Sequence, residues 1–242
     1  MSLLFFFSHL QRTFTDLLRS KGIANDDKVI LYEGNFRGQY GASCRAWYIL
    51  DLLGHARVNV IHGGWEAWTQ DNHEKVAGGE NKVEESNYLP QWNPGLWADL
   101  ADISSIVHNK DTSTKLLDVR DMVEWAGQSS SPYGVSYAPR RGRLPKAVHL
   151  EWYALMTESD EGKPSFFKSP EEITKLVDGV GIKKDDDVVV YCFKGARASN
   201  TILGLRTAGF TNLRNYFGSW NEWSRNKELI IDDDVYDDDD DE

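Results

Sequence analysis

This 242-residue sequence predicts an α/β fold of two related units, each a parallel sheet with helices on both faces. Two observations carry that prediction. One is internal repetition: the passage from Gly22 to Glu33 returns from Gly181 to Cys192 at an offset of 159, and the passage from Gly63 to Trp68 returns from Gly218 to Trp223 at an offset of 155. A fixed offset means one structural unit used twice. The other is the order of elements within each copy, a short β-branched run, a loop, a helical stretch and a second apolar run, which is the pattern of parallel strands joined by crossover helices.

In chain order, Val29–Tyr32 and Val188–Tyr191 read as buried parallel strands. The helical stretches run from Cys44 to Leu53, with Gly54 as a C-terminal stop, and from Ala198 towards Phe210. Val58–Ile61 and Leu213–Tyr216 are the next strands. In the second copy, Leu116–Arg120 is a further strand, followed by a long loop through Ser129–Gly134 and Arg140–Arg143. Nothing before Gly22 corresponds to this front half, so the first unit is expected to be incomplete at its N-terminal side. The expected divisions are residues 1–75 for the first unit, 76–94 for a polar linker, 95–231 for the second unit and 232–242 for an acidic, disordered tail.

Composition narrows the function classes. The formal charge is −11, but residues 232–242 hold eight Asp and one Glu, leaving about −2 for the rest. A self-repelling acidic run cannot bury apolar surface and argues against nucleic acid as a partner. Two cysteines make no disulfide framework and fit a reducing compartment, the cytoplasm, with mitochondria as the alternative. No apolar run has the length of a membrane span. Cys44, at the start of a helix, reads as structural. His55, His62 and His149 lack metal spacing, so neither a metal nor another cofactor is expected. Trp65, Trp68, Trp220 and Trp223 recur at i, i+3 and read as packing residues.

The chemistry is expected at Cys192. It ends a parallel strand just before a helix, where such sheets bind ligands. A helix N-terminus offers N–H groups without intrahelical acceptors and a positive potential. Gly195 lets the backbone curl, and Lys194 and Arg197 add positive charge. A cysteine there is expected to be a thiolate near pH 7, and so a nucleophile held among donors and cations. The first copy has Glu33 at this position, which predicts one working site and one degenerate site.

Several motifs together resemble the tandem-domain rhodaneses, the thiosulfate and 3-mercaptopyruvate sulfurtransferases. They are Leu117–Arg120, Gly142–Val148, Tyr191–Ala198, Gly209–Phe210 and Asn215–Trp223, with Gly54–His55 and His62–Trp68 similar to the family's inactive first domain. The resemblance implies that Cys192 takes a sulfane sulfur from a small anionic donor and passes it, as a persulfide, to cyanide or a thiol. It implies a donor site formed by Phe193, Lys194, Gly195, Ala196 and Arg197, with Arg143 contributing, and support from Asp118 and Arg120. Only four residues separate Cys192 from Arg197, a smaller cradle than the five of tyrosine-phosphatase-type loops and better suited to sulfur. Two positions depart from the family: Phe193 stands where thiosulfate-specific members often carry arginine, and Glu124 where some members carry a substrate-binding arginine. The expected enzyme is a monomeric thiosulfate sulfurtransferase. Transfer from 3-mercaptopyruvate is the alternative donor, and a regulatory or binding module without activity is the alternative class.

Overall fold

The computed structural model describes residues 3–34, 41–71, 73, 75, 78–79, 82–158 and 163–233, with side chains from Arg12 onward. The first unit contains α1 (Leu3–Ser20), β1 (Val29–Leu31), α2 (Gly41–Leu52), β2 (Val58–Val60) and α3 (Gly64–Gln70). The second contains β3 (Trp97–Ala98), α4 (Leu100–Val107), β4 (Lys115–Asp118), α5 (Met122–Trp125), β5 (Val148–His149), α6 (Pro170–Gly179), β6 (Val188–Tyr191), α7 (Ala196–Thr207), β7 (Leu213–Tyr216) and α8 (Ser219–Trp223).

Local chemistry sets the helix starts. Ser169 accepts the Glu172 N–H while Glu172 reaches back to the Ser169 N–H, and Pro170 opens α6, a position where its missing N–H costs nothing. Asp99 and Asp102 form the same reciprocal box at α4.

The second unit is a five-stranded parallel sheet in the order β3-β7-β6-β4-β5, with β6 central. Alternation along β6 divides the core between the two faces. Val188 and Val190 join a cluster with Ile173, Val177, Ile202 and Leu205 of α6 and α7. Val189 and Tyr191 join Ile103, Ile106, Trp220 and Trp223 of α4 and α8. Helices therefore cover both faces, and all four residues of β6 are buried.

The first unit differs. Among the described residues its sheet is the parallel pair β1-β2. Val29, Leu31 and Val58 pack with Leu18 of α1, Ile49 and Leu50 of α2, and Leu53 just after α2. On the other face, among the described residues, Ile30 is 54% exposed. The expectation of a fully buried strand thus fails at β1, whose described core packing against α1 and α2 lies on the Val29–Leu31 side. The i, i+3 tryptophans divide in the same way. Trp220 and Trp223 are buried, whereas Trp65 is exposed and stacks on Tyr32.

The units meet along α2 and α7. The Tyr48 hydroxyl donates to the Leu96 carbonyl and accepts the Asn215 N–H at 3.1 Å. Arg206 pairs with Asp51 at 2.5 Å. These two residues are counterparts at the 155 offset, so the contact lies on the repeat's own symmetry. Tyr48 and Leu52 are fully buried here, and each apolar side chain of this size contributes about 2 kcal/mol. The stretch expected as a polar linker packs on the first unit where it is described. Tyr88 is buried, and Gln91 and Asn93 donate N–H bonds to Leu53 and Leu52 carbonyls at 2.8 and 2.9 Å.

The acidic end also differs from expectation. Asp232, counted with the disordered tail, forms an antiparallel bridge with Arg143 and an ion pair with it at 2.9 Å. Arg140 holds the strap before it through the carbonyls of Trp223, Ser224, Asn226 and Leu229. Residues 234–242 lie outside the described residues.

Candidate active site

Cys192 is the first residue after β6, and it is held from several directions. The Gly195 N–H donates to Sγ at 3.1 Å. The Cys192 N–H donates to Ser219 Oγ at 3.3 Å, and the Cys192 carbonyl accepts the Trp220 N–H at 3.1 Å. The turn depends on Gly195, whose φ of 80° favours glycine and where a Cβ would sit 3.0 Å from the Phe217 ring. The Gly195 carbonyl is held by Ser199 and by Asn215 Nδ2, so the loop is anchored to α7 and β7.

The two cations of the loop have different partners. Arg197 is nearly buried and reaches α5, where Glu124 receives it at 2.5 and 3.0 Å and Asp121 at 3.1 Å. Burial opposes the Arg197 charge. The Glu124 hydrogen bond, together with negative charge on Cys192, Glu124 and Asp121, outweighs it and raises the guanidinium above its ordinary value. Glu124 is itself fully buried. The residue that departs from the family pattern is therefore the counter-ion of Arg197. Lys194 has no carboxylate partner among the described residues. Its ammonium lies 4.8 Å from the Tyr133 ring, 5.3 Å from Tyr137 and 5.5 Å from Phe193, within cation–π range. Both tyrosines are exposed. They come from the Ser129–Tyr137 loop, which is closed by Ser130, whose N–H donates to the Val135 carbonyl at 3.0 Å and whose hydroxyl accepts the Ala138 N–H at 2.9 Å.

The expected site residues thus separate. Cys192, Lys194, Gly195, Ala196 and Arg197 form one loop and helix start. Phe193 is buried against Tyr133 and Tyr137, so it offers the loop its backbone rather than its side chain. Arg143, expected to contribute to the donor site, pairs with Asp232 at 2.9 Å and stacks over Trp125 at 4.8 Å. Asp118 and Arg120 are buried together; Arg120 also donates to the Gly142 carbonyl at 2.9 Å and lies over Trp220. They tie the loop before Arg143 to the end of β4.

Sequence reasoning missed Ser219, Tyr133, Tyr137 and the pairing role of Glu124. One signal for Ser219 was present. Its counterpart is Gly64, and both have positive φ, 61° and 54°. A serine where the repeat uses glycine carries backbone strain, and here its hydroxyl meets the Cys192 N–H. The degenerate copy is also informative. Glu33, the counterpart of Cys192, accepts the N–H groups of Ala42 and Ser43 and the Ser43 hydroxyl. A fixed carboxylate occupies the helix start there. Partial burial raises the Glu33 carboxyl, and those hydrogen bonds lower it in part.

The family model described as "Rhodanese-like domain" matches residues 100–226. The chain belongs to the rhodanese-like sulfurtransferase family. A relative named "Putative thiosulfate sulfurtransferase" from Saccharopolyspora erythraea is 33% identical over 224 residues, covering 89% of this chain and 75% of the relative. The structure of SseA from Escherichia coli, described with the rhodanese fold and mechanism of 3-mercaptopyruvate sulfurtransferases, is 25% identical. It aligns with a TM-score of 0.70 over 86% of this chain and 72% of that one. Wild-type EanB shares the fold at 20% identity and a TM-score of 0.76, and this rhodanese spans only 54% of it. The matched range holds Cys192, Lys194, Arg197, Glu124 and Ser219, all of the second unit. Among the described residues no helix is long and apolar enough to cross a membrane, and no three His, Cys, Asp or Glu side chains are placed to hold a metal ion.

Proposed function

We propose that this protein is a thiosulfate sulfurtransferase that works through a persulfide on Cys192. The carrying observation is the Gly195 N–H aimed at Cys192 Sγ from 3.1 Å, at the start of α7. That donor stabilises negative charge on sulfur before, during and after transfer, as an oxyanion-type cradle does. The Cys192 thiolate attacks the outer sulfur of thiosulfate. A Cys192–sulfur bond forms, the sulfur–sulfur bond of thiosulfate breaks, and sulfite leaves with the electron pair. Cyanide or a thiolate acceptor then attacks the outer persulfide sulfur, and Cys192 leaves as the thiolate. No oxidant is required.

Lys194 supplies the attraction for the dianion, and Tyr133 and Tyr137 hold its ammonium at the site. Arg197, balanced by Glu124 and Asp121, shapes the loop more than it adds free charge. That balance supports the second reading, transfer from 3-mercaptopyruvate, whose single carboxylate asks for less positive charge than thiosulfate. The proposed working form is a monomer in the cytoplasm, in keeping with two unpaired cysteines.

Intact-mass measurement after thiosulfate treatment tests the proposal. Wild type gains about 32 Da, one sulfur atom, and Cys192→Ser gains none while keeping its fold. A folded wild type that never gains this mass, with either donor, removes the sulfurtransferase reading.

A further inference from the structure

The first unit has Glu33 where the second has its cysteine, yet it reaches Cys192 through a chain of hydrogen bonds. Tyr48, on α2, is fully buried between the units. A buried hydroxyl is tolerated when both its proton and its lone pairs are used. The Tyr48 hydroxyl donates to the Leu96 carbonyl, just before β3, and accepts the Asn215 N–H of β7 at 3.1 Å. Asn215 is also fully buried, and its side chain turns to the Cys192 loop. Its Nδ2 donates to the Gly195 carbonyl and to Ser199 Oγ, both at 3.1 Å. Gly195 in turn gives its N–H to Cys192 Sγ at 3.1 Å. Tyr48, Asn215 and Gly195 thus link the first unit to the sulfur.

Two features set this chain apart from ordinary packing between units. Glycine has the least restricted backbone of any residue, so the Gly195 N–H keeps its aim only if the residue is held from outside. Asn215 holds it from β7, and Phe217 lies under it, 3.0 Å from where a Cβ would be. Phe217 is itself backed from α2, by the Tyr48 ring at 5.8 Å and the Arg45 guanidinium at 5.5 Å. The second feature is the repeat. At the 155 offset Leu203 is the counterpart of Tyr48, and Val60 that of Asn215. Leu203 and Val60 meet in an apolar cluster with Cys44 and Met156. The same crossing is therefore hydrocarbon in the half that carries Glu33, and a hydroxyl with an amide in the half that carries Cys192. Either serves packing, but only the polar version places a hydrogen bond on the loop.

We propose that Tyr48 is a positioning residue for sulfur transfer: by holding Asn215 it keeps the Gly195 N–H on Cys192 Sγ, which gives the unit with the degenerate site a part in the reaction. The proposal rests on the reading of Cys192 as the sulfur carrier. Without the hydroxyl the Asn215 N–H loses its acceptor, β7 shifts to find another, and the Asn215 amide moves with it. Small displacements of a donor at the reacting atom are costly in rate.

Tyr48→Phe in the whole chain keeps the ring and removes the hydroxyl. With thiosulfate and cyanide, kcat should fall at least about fivefold, the rate equivalent of one hydrogen bond, while KM for thiosulfate stays within about twofold because Lys194 is untouched. The pH profile of Cys192 alkylation by iodoacetamide, read by peptide mass, should move to higher pH. Asp51→Asn is the control. It removes the ion pair to Arg206 across the same interface and leaves Tyr48 and Asn215 in place, so it should lower stability in urea and keep the wild-type rate and profile. Tyr48→Leu, which copies Leu203, carries the test if Tyr48→Phe does not fold. The proposal is overturned if the folded Tyr48 variant keeps the wild-type kcat and alkylation profile, or if Asp51→Asn reproduces its losses. A wild type that gains no sulfur from either donor overturns the reading of Cys192 instead, and the alkylation profiles still decide whether Tyr48 sets the loop.

Discussion

Glu124→Gln tests whether the Arg197 pair holds the Cys192 loop in place. The side chains of Arg197 and Glu124 are 12% and 1% exposed, and they meet through two contacts of 2.5 and 3.0 Å. Removing one member of a buried pair typically costs 3–5 kcal/mol, because the remaining charge is left without its partner, so about that much is at risk here. Glutamine keeps one acceptor oxygen and restores about 1 kcal/mol of it. Asp121 stays at 3.1 Å, but its side chain is 39% exposed and solvent screens it. The expected loss is about 2–4 kcal/mol, a fall in Tm of roughly 4–16 °C for a chain of this size. Urea unfolding followed by tryptophan fluorescence measures it. Replacing both residues by apolar ones, Glu124→Leu with Arg197→Met, should cost less than either single change, since neither charge is then stranded. A Glu124→Gln protein within about 0.5 kcal/mol of wild type, or a double variant as unstable as the sum of the singles, would refute the pairing as a structural anchor.

Lys194→Ala should lower kcat/KM for thiosulfate by about 1–3 kcal/mol, and for mercaptopyruvate by less; equal losses in steady-state assays with both donors would remove Lys194 from donor choice. Ser219→Gly should leave stability within about 1 kcal/mol of wild type, because relief of strain offsets the lost hydrogen bond to the Cys192 N–H, while sulfur transfer slows. A variant with wild-type rates would show that the hydroxyl does not position the loop. Asp232→Ala should destabilise by about 1 kcal/mol, discounted for its partial exposure, whereas deleting residues 234–242 should leave sulfur-transfer kinetics unchanged at physiological salt. Equal effects from both changes in denaturation and rate measurements would contradict the Arg143 clamp.

The sequence by itself determined the repeated α/β architecture, because two offsets and four apolar runs have no other simple reading. It also carried the strand–turn–helix arrangement around Cys192 and Gly195, the proposed place of the chemistry, because these elements follow one another within a few residues. Tertiary structure decided which charges are free. Arg143 and Arg197 look available in the sequence, yet Asp232 and Glu124, 89 and 73 residues away, meet them through folding. The same holds for Lys194, whose aromatic neighbours Tyr133 and Tyr137 lie about 60 residues earlier in a loop that alternation and periodicity do not describe. β1 is the corresponding case in the fold. Its composition is that of a buried strand, but Ile30 faces outward because burial depends on how many layers pack against a sheet, and a strand's own residues carry no record of that. Charge pairing and layer count are long-range properties. The cradle around Cys192 is short-range, and so it was legible first.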